Sequence, residues 1–155
     1  MKLKGLYILA MTIVISCSGQ KEFSKAVFLH DEPTENGHVK RKYSLQVPKG
    51  YELEKIKAGG EIGQEDRYVY SDSSMFYVST FEGTPNEESI INQEGAKSKK
   101  YMALAEDTDL TLEGNNKGKY WKEVILKNGI RLGYKGVTDK RKSDFENAVQ
   151  SFKLK

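Results

Sequence analysis

Cysteine is almost missing from this chain: 155 residues hold one, Cys17. A single thiol excludes an internal disulfide framework and any zinc site built on several cysteines. Histidine occurs twice and tryptophan once. No apolar run approaches the roughly 20 residues that a bilayer-spanning helix needs. An excess of one charge is lacking too, with 25 Lys and Arg against 22 Asp and Glu. That balance argues against a nucleic-acid partner, which calls for a dense basic surface. No G-x-S-x-G elbow occurs, so a serine hydrolase of that class has no support.

The start of the chain is what the rest is read against. Lys2 and Lys4 precede an apolar run of ten residues, Leu6 to Ile15, and Val14-Ile15-Ser16-Cys17 closes it. Half the length of a membrane span, with small Ser16 at its end, the run has the dimensions of a signal h-region. The order resembles the bacterial lipoprotein signal, in which the cysteine sulfur is acylated and the leader is cut just before it. The reading is a signal peptide over residues 1–16, a lipidated tether over 17–25 and a single domain over 26–155. Ser18 rather than Asp follows the cysteine, which resembles the outer-membrane default of lipoproteins rather than inner-membrane retention. Loss of Lys2 and Lys4 with the leader brings the 25 basic residues to 23, against 22 acidic ones, so the remaining chain is close to neutral.

Further along, Ala26 to Leu29 reads as an edge strand, and His30 to Arg41 as a polar loop. Tyr43, Leu45 and Val47 alternate with Ser44 and Gln46, the period of a half-buried strand, and Pro48-Lys49-Gly50 ends it as a turn. Lys57 to Glu65 reads as a glycine-rich loop. Arg67–Tyr70 and Met75–Phe81 flank Ser71 to Ser74 as a hairpin. Thr84, Pro85 and Glu87 carry the signature of a helix start with a capping box; the helix is expected to reach Leu104 with a stripe of Ile90, Ile91, Tyr101, Met102 and Ala105. Leu110 to Leu112 reads as a short strand and Gly114 to Lys119 as a loop.

Asn128-Gly129 between two apolar stretches predicts a two-residue type I′ hairpin. That turn pairs Ile125 with Leu132 and Glu123 with Tyr134, and puts Trp121, Ile125, Ile130, Leu132 and Tyr134 on one face. Ser143 and Glu146 predict a capped final helix, on which Phe145, Ala148, Val149 and Phe152 form one stripe. Hairpins rather than β-α-β units predict an α+β domain: a mostly antiparallel sheet with two helices packed on it.

Tyr43 to Tyr51 (YSLQVPKGY) resembles the opening strand and Pro-x-Gly-aromatic turn of PsbP-like domains. Asp144 to Lys153 (DFENAVQSFK) resembles their closing helix, which ends in Ser-Phe. The chain is also similar to small secreted lipoproteins of Bacteroidetes-type bacteria. The PsbP-like resemblance covers Tyr43 to Lys153 and implies an antiparallel sheet with packed helices, used as a binding or assembly scaffold. It carries over no functional residue.

Candidate chemistry is sparse. His30, Asp31, Glu32 and His38 offer metal-type ligands, but in a polar segment near the tether they read as solvated side chains, and no metal or other cofactor is expected. Gly114 to Tyr120 echoes a phosphate loop one residue short, with Tyr120 where Ser or Thr would hold the metal; a β-turn explains it. Neighbouring acids (Glu65/Asp66, Glu87/Glu88, Glu106/Asp107) read as solvated rather than as a glycosidase pair. The basic runs at Lys40 to Lys42, Lys97 to Lys100 and Lys140 to Lys142 read as exposed faces, with anionic lipid or an acidic partner as the functional alternative. Aromatics crowd the hairpins, and Tyr68, Tyr70, Tyr77 and Trp121 are taken as partner-contact candidates. The function expected is a non-enzymatic binding or assembly module of the cell envelope, lipid-anchored on Cys17, whose partner is an envelope protein or polymer. The alternative is a carrier of a small apolar ligand between sheet and helices. Hydrolysis would need a buried carboxylate of raised pKa in a cleft.

Overall fold

The computed structural model describes residues 22–58 and 63–155. The leader, Cys17, the first tether residues, Gly59 and Gly60 lie outside them. Among the described residues nine strands and three helices follow one another: β1 (Phe23–Thr34), β2 (Gly37–Pro48), β3 (Tyr51–Lys57), β4 (Gln64–Tyr70), β5 (Met75–Ser79), α1 (Glu87–Ile91), α2 (Ala96–Glu106), β6 (Leu110–Asn116), β7 (Lys119–Ile125), β8 (Arg131–Val137), α3 (Asp139–Gln150) and β9 (Lys153–Leu154). The α+β class with antiparallel pairing holds, but the strands form two sheets. One has the order β1-β2-β9, the other β3-β4-β5-β8-β7-β6. The chain changes sheet at the expected turn, where Gly50 takes φ +88° and any side chain would be strained.

The main core lies between the sheets and under α3. Phe28, Tyr43, Leu45 and Val47 come from the first sheet, Tyr68, Phe76, Val78, Leu132 and Tyr134 from the second, and Phe145 and Ala148 from α3. The predicted stripe of the last helix is the buried one, with Phe152 stacked on Tyr43 at 4.9 Å. The helix begins at Asp139, four residues before the expected cap, and Glu146 accepts from Lys122 and Tyr134 instead of closing a capping box.

The expected polar loop at His30 to Arg41 is instead the outer half of a long hairpin, paired from Phe23↔Pro48 to Thr34↔Gly37. Phe23, Ser24 and Lys25, expected in the tether, already belong to β1. Little of this arm is buried, so no apolar alternation marks it. The backbone ladder, the Glu32–Arg41 ion pair and the Thr34 hydroxyl donating to the Gly37 carbonyl at 3.0 Å hold it. The register also separates the two histidines: His30 shares a face with Glu32 and Arg41, His38 with Asp31 and Lys40. One ion cannot collect both.

The β7–β8 register is one residue away from the predicted one. Val124 pairs with Leu132 and Ile125 with Arg131. The Leu126 N–H donates to the Ile130 carbonyl at 2.8 Å around a three-residue turn, in which Gly129 (φ +82°) carries positive φ and Asn128 does not. A slip of one exchanges faces. Val124, Leu126, Leu132 and Tyr134 therefore face α3, while Trp121, Glu123, Ile125 and Arg131 face the other way. A bulge between Tyr120 and Lys122 lets the strand continue.

The middle helix is also redrawn. Gly95 (φ +74°) separates α1 from α2, and Asn86, not Thr84, holds the N-cap position without a side-chain cap bond. Of the expected stripe Ile90 is buried, packed with Ala96, whereas Ile91, Met102 and Ala105 are exposed. The Gly114–Lys119 loop is mostly strand, closed by Lys117 and Gly118 at positive φ, the conformation of a type I′ turn.

Candidate functional site

All four aromatics taken as contact candidates are interior. Tyr68 and Tyr77 are 1% and 0% exposed, Tyr70 5% and Trp121 6%. Tyr68 and Tyr70 lie in the main core; the Tyr70 hydroxyl donates to the Pro48 carbonyl at 2.7 Å and its ring meets Phe145 edge-on at 5.3 Å. Trp121 packs with Ile90, Ala96 and Leu112. Period-two patterning names which residues share a face. It does not reveal that both faces of the six-stranded sheet are covered. A contact surface must therefore use other residues.

The face of the second sheet opposite α3 carries a polar cluster that no sequence motif announced. Asn86, Tyr77 and Glu123 are buried, as is Thr84 beside them. The Tyr77 hydroxyl donates to Glu123 Oε2, and the Thr84 hydroxyl donates to the same oxygen at 2.7 Å. Asn86 Nδ2 lies 2.9 Å from the Tyr77 hydroxyl, 2.9 Å from the Lys122 carbonyl and 3.1 Å from the Tyr134 carbonyl. Arg131 stands 3.9 Å from Glu123 Oε1, an oxygen without a hydrogen-bond partner, and donates to the Glu82 carbonyl. Burial pushes the Glu123 carboxyl above the usual range, against the pull of the two hydroxyls and Arg131. Burial likewise raises the Tyr77 phenol, and the neighbouring carboxylate adds to it.

Glu123 is a buried carboxylate of raised pKa, but it sits in the interior rather than in a cleft. Thr84 and Asn86 come from the segment leading into α1 and bond to Glu123 and Lys122 of β7, Tyr77 of β5 and Tyr134 of β8, so the cluster fastens that segment across three strands. Proton transfer needs a substrate atom within about 3 Å; around Oε2 that shell is filled by the protein's own hydroxyls, and Oε1 is buried with Arg131 3.9 Å away.

An open cleft lies at the other end of the second sheet. Among the described residues, β1 and β3 each end a sheet and are paired along one edge only. The two strands begin together, where the Ser24 hydroxyl donates to the Tyr51 hydroxyl at 3.0 Å. They then part around a cleft of about 260 Å3 lined by Val27, Leu29, Lys55, Ile56, Lys57, Gln64 and Asp66. Val27 and Leu29 are 40% and 60% exposed, costly for apolar side chains left in water. Lys55 and Lys57 are exposed, while Asp66 is buried with Lys55 Nζ 3.8 Å away. Burial raises the Asp66 carboxyl, and Lys55 and Lys57 oppose the rise. The cleft thus offers an apolar wall and two accessible cations.

No protein-family model, curated protein or solved structure matches this chain. The cleft and the closed cluster are what a functional reading has to rest on.

Proposed function

We propose that this chain is a lipid-anchored binding module of the cell envelope, without catalytic activity of its own, which meets a protein partner at the β1/β3 cleft. The observation that carries the reading is the exposed apolar wall between two sheet edges. β3 itself carries Glu52, Glu54, Lys55 and Lys57, charges that deter indiscriminate edge pairing, so the exposed apolar pair Val27 and Leu29 beside it is what marks the cleft as a contact surface.

The reading includes acylation of Cys17 and an outer-membrane address. Six residue steps separate Cys17 from Phe23, at most about 3.6 Å each, so the first strand would start within about 22 Å of the Cys17 backbone. It also includes a PsbP-like arrangement. What supports that is the contact between the two segments carrying the resemblance: the Gln46 N–H donates to the Ser151 hydroxyl at 2.7 Å, and Tyr43 stacks on Phe152. A ligand carried between sheet and helix is less well supported, because Phe145 and Ala148 fill that interface.

Two measurements test the reading. Cys17→Ala is expected to move the protein from the detergent to the aqueous phase in cloud-point partitioning; unchanged partitioning overturns the anchor. A photo-crosslinking residue at Leu29 is expected to yield one defined adduct in native envelopes, with none from the same probe at exposed Met102. A smear of equal strength from both positions rejects the cleft as the contact surface.

A further inference from the structure

We infer that the outer face of the first sheet rests on an anionic lipid surface, which its lysines hold and which orients the anchored domain. The inference goes beyond the cleft and rests on the part of the functional reading that acylates Cys17. Strand register decides which residues share this face. Phe28, Tyr43, Leu45 and Val47 turn inward and are buried. Lys25 of β1, Lys40, Lys42 and Gln46 of β2 and Lys153 of β9 lie on the opposite face, and all five are exposed.

The charge on this face has one sign. The one acid that β1, β2 and β9 place there is Asp31, opposite Lys40 in the register and 3.8 Å from His38 Nδ1. Among the described residues none of the four lysines has an ion-pair partner. Charges over the chain that follows the leader nearly balance, so the excess belongs to this face and not to the protein as a whole. Lys40 and Lys42 are two residues apart on one strand, about 7 Å, and Lys153 lies diagonal to Lys42 at a similar spacing. Like charges this close repel one another, and an anionic layer laid against the face relieves the repulsion.

Reach selects a bilayer as that layer. An acylated Cys17 holds the start of β1 within about 22 Å of its own backbone, and Lys25 is the third residue of that strand. Attraction to a charged surface fades within a Debye length, about 8 Å at physiological salt, so it acts on a face that lies flat against the surface. Each lysine is a compact charge on a flexible stem, and lipid headgroups move in the membrane plane to meet it. No fixed partner geometry is needed. Val27 and Leu29 stand at the β1 margin of the same face, where they wall the cleft, so partner and bilayer meet the domain side by side.

The test uses the full-length acylated protein in vesicles of phosphatidylcholine, alone or with an equal part of phosphatidylglycerol. Gln46→Cys carries a fluorescent label on the basic face, and Met102→Cys carries it on α2. Nitroxide lipids are expected to quench the Gln46 label in the anionic vesicles far more than in phosphatidylcholine, and to spare the Met102 label in both. The difference is expected to vanish near 1 M salt, where the Debye length is about 3 Å. Lys40→Gln, Lys42→Gln and Lys153→Gln are each expected to lower the ratio of docked to undocked domain about fivefold, while Lys99→Gln on α2 leaves it unchanged. Equal quenching in both kinds of vesicle, or unchanged quenching in the three variants, overturns the inference. Absence of quenching, together with a protein adduct from a photo-crosslinking residue at Gln46 in native envelopes, assigns the face to an acidic protein and overturns it as well. Protein that floats with neither vesicle has no anchor, which removes the acylation reading and this inference together. The Leu29 adduct tests the cleft independently of these outcomes.

Discussion

Gly133→Ala is expected to cost about 3 kcal/mol, the upper range for overpacking a filled interior. A methyl group at residue 133 would stand 2.0 Å from the Lys122 carbonyl oxygen and 2.8 Å from the Tyr77 hydroxyl. The first is backbone, held in place by the β7 ladder, and cannot swing aside as a side chain could. That carbonyl also accepts from Asn86 Nδ2, so moving it breaks the bond that holds the start of α1. Gly133 does not need positive φ; its small size alone is required. Denaturant unfolding measures the loss, with Gly83→Ala as the control, since a methyl group at residue 83 meets nothing within 4 Å. The control is expected to stay within about 0.5 kcal/mol of the parent. Equal stabilities for the two variants would show that the sheet yields at residue 133.

Glu123→Ala is expected to destabilise by about 3 to 5 kcal/mol, the cost of removing one partner from a buried charged network. It strips the acceptor from the Tyr77 and Thr84 hydroxyls at once and leaves Arg131 without its nearest carboxylate. Glu123→Gln separates charge from hydrogen bonding, because the amide oxygen still accepts from the hydroxyls. The folded-state pKa of Glu123 is raised. Its contribution to stability is therefore fully present below the ordinary carboxyl range, near pH 4.5, and is lost as pH rises through the folded value. Relative to Glu123→Gln, the parent should lose stability as pH rises above the ordinary carboxyl value of 4.5. Other carboxyls act in the opposite sense. Asp72 is held down to about 2: burial raises it, and hydrogen bonds from Ser74 and Arg141 outweigh that. Only the difference between parent and variant isolates Glu123. A pH-independent difference would show that its carboxyl titrates as it does in the unfolded chain.

Both predictions concern residues that the sequence could not single out. Glu123 sits in an ordinary alternating strand, and Gly133 looks like any glycine in a β-rich stretch. Their importance comes from the β7–β8 register, which a single turn decides. Asn-Gly favours a two-residue turn, yet the chain forms a three-residue one in which only Gly129 needs positive φ. The longer turn puts Val124, Leu132 and Tyr134 together against α3. The shorter turn would have paired Ile125 with Leu132 and Glu123 with Tyr134, sending a carboxylate into the apolar core. Core burial over several residues outweighs the preference of one dipeptide.

The outer half of the β1–β2 hairpin was illegible for the opposite reason. Little of it is buried, so no apolar rhythm distinguishes its strands from a polar loop. The capping box at Thr84 misled because the Thr84 hydroxyl has another partner: it donates to the buried Glu123 carboxylate at 2.7 Å instead of capping the helix.

By itself the sequence determined what depends on neighbours along the chain: strand alternation at Tyr43 to Val47, the apolar stripe of α3, the hairpin order that makes the sheets antiparallel, and the absence of cysteine chemistry beyond Cys17. Only the tertiary structure decided which sheet face is covered, which aromatics are sealed inside and which strands end a sheet. Those outcomes depend on apolar area shared between segments far apart in the chain. Local propensities, worth tenths of a kcal/mol per residue, cannot compete with burial worth about 1.5 to 3 kcal/mol per large side chain.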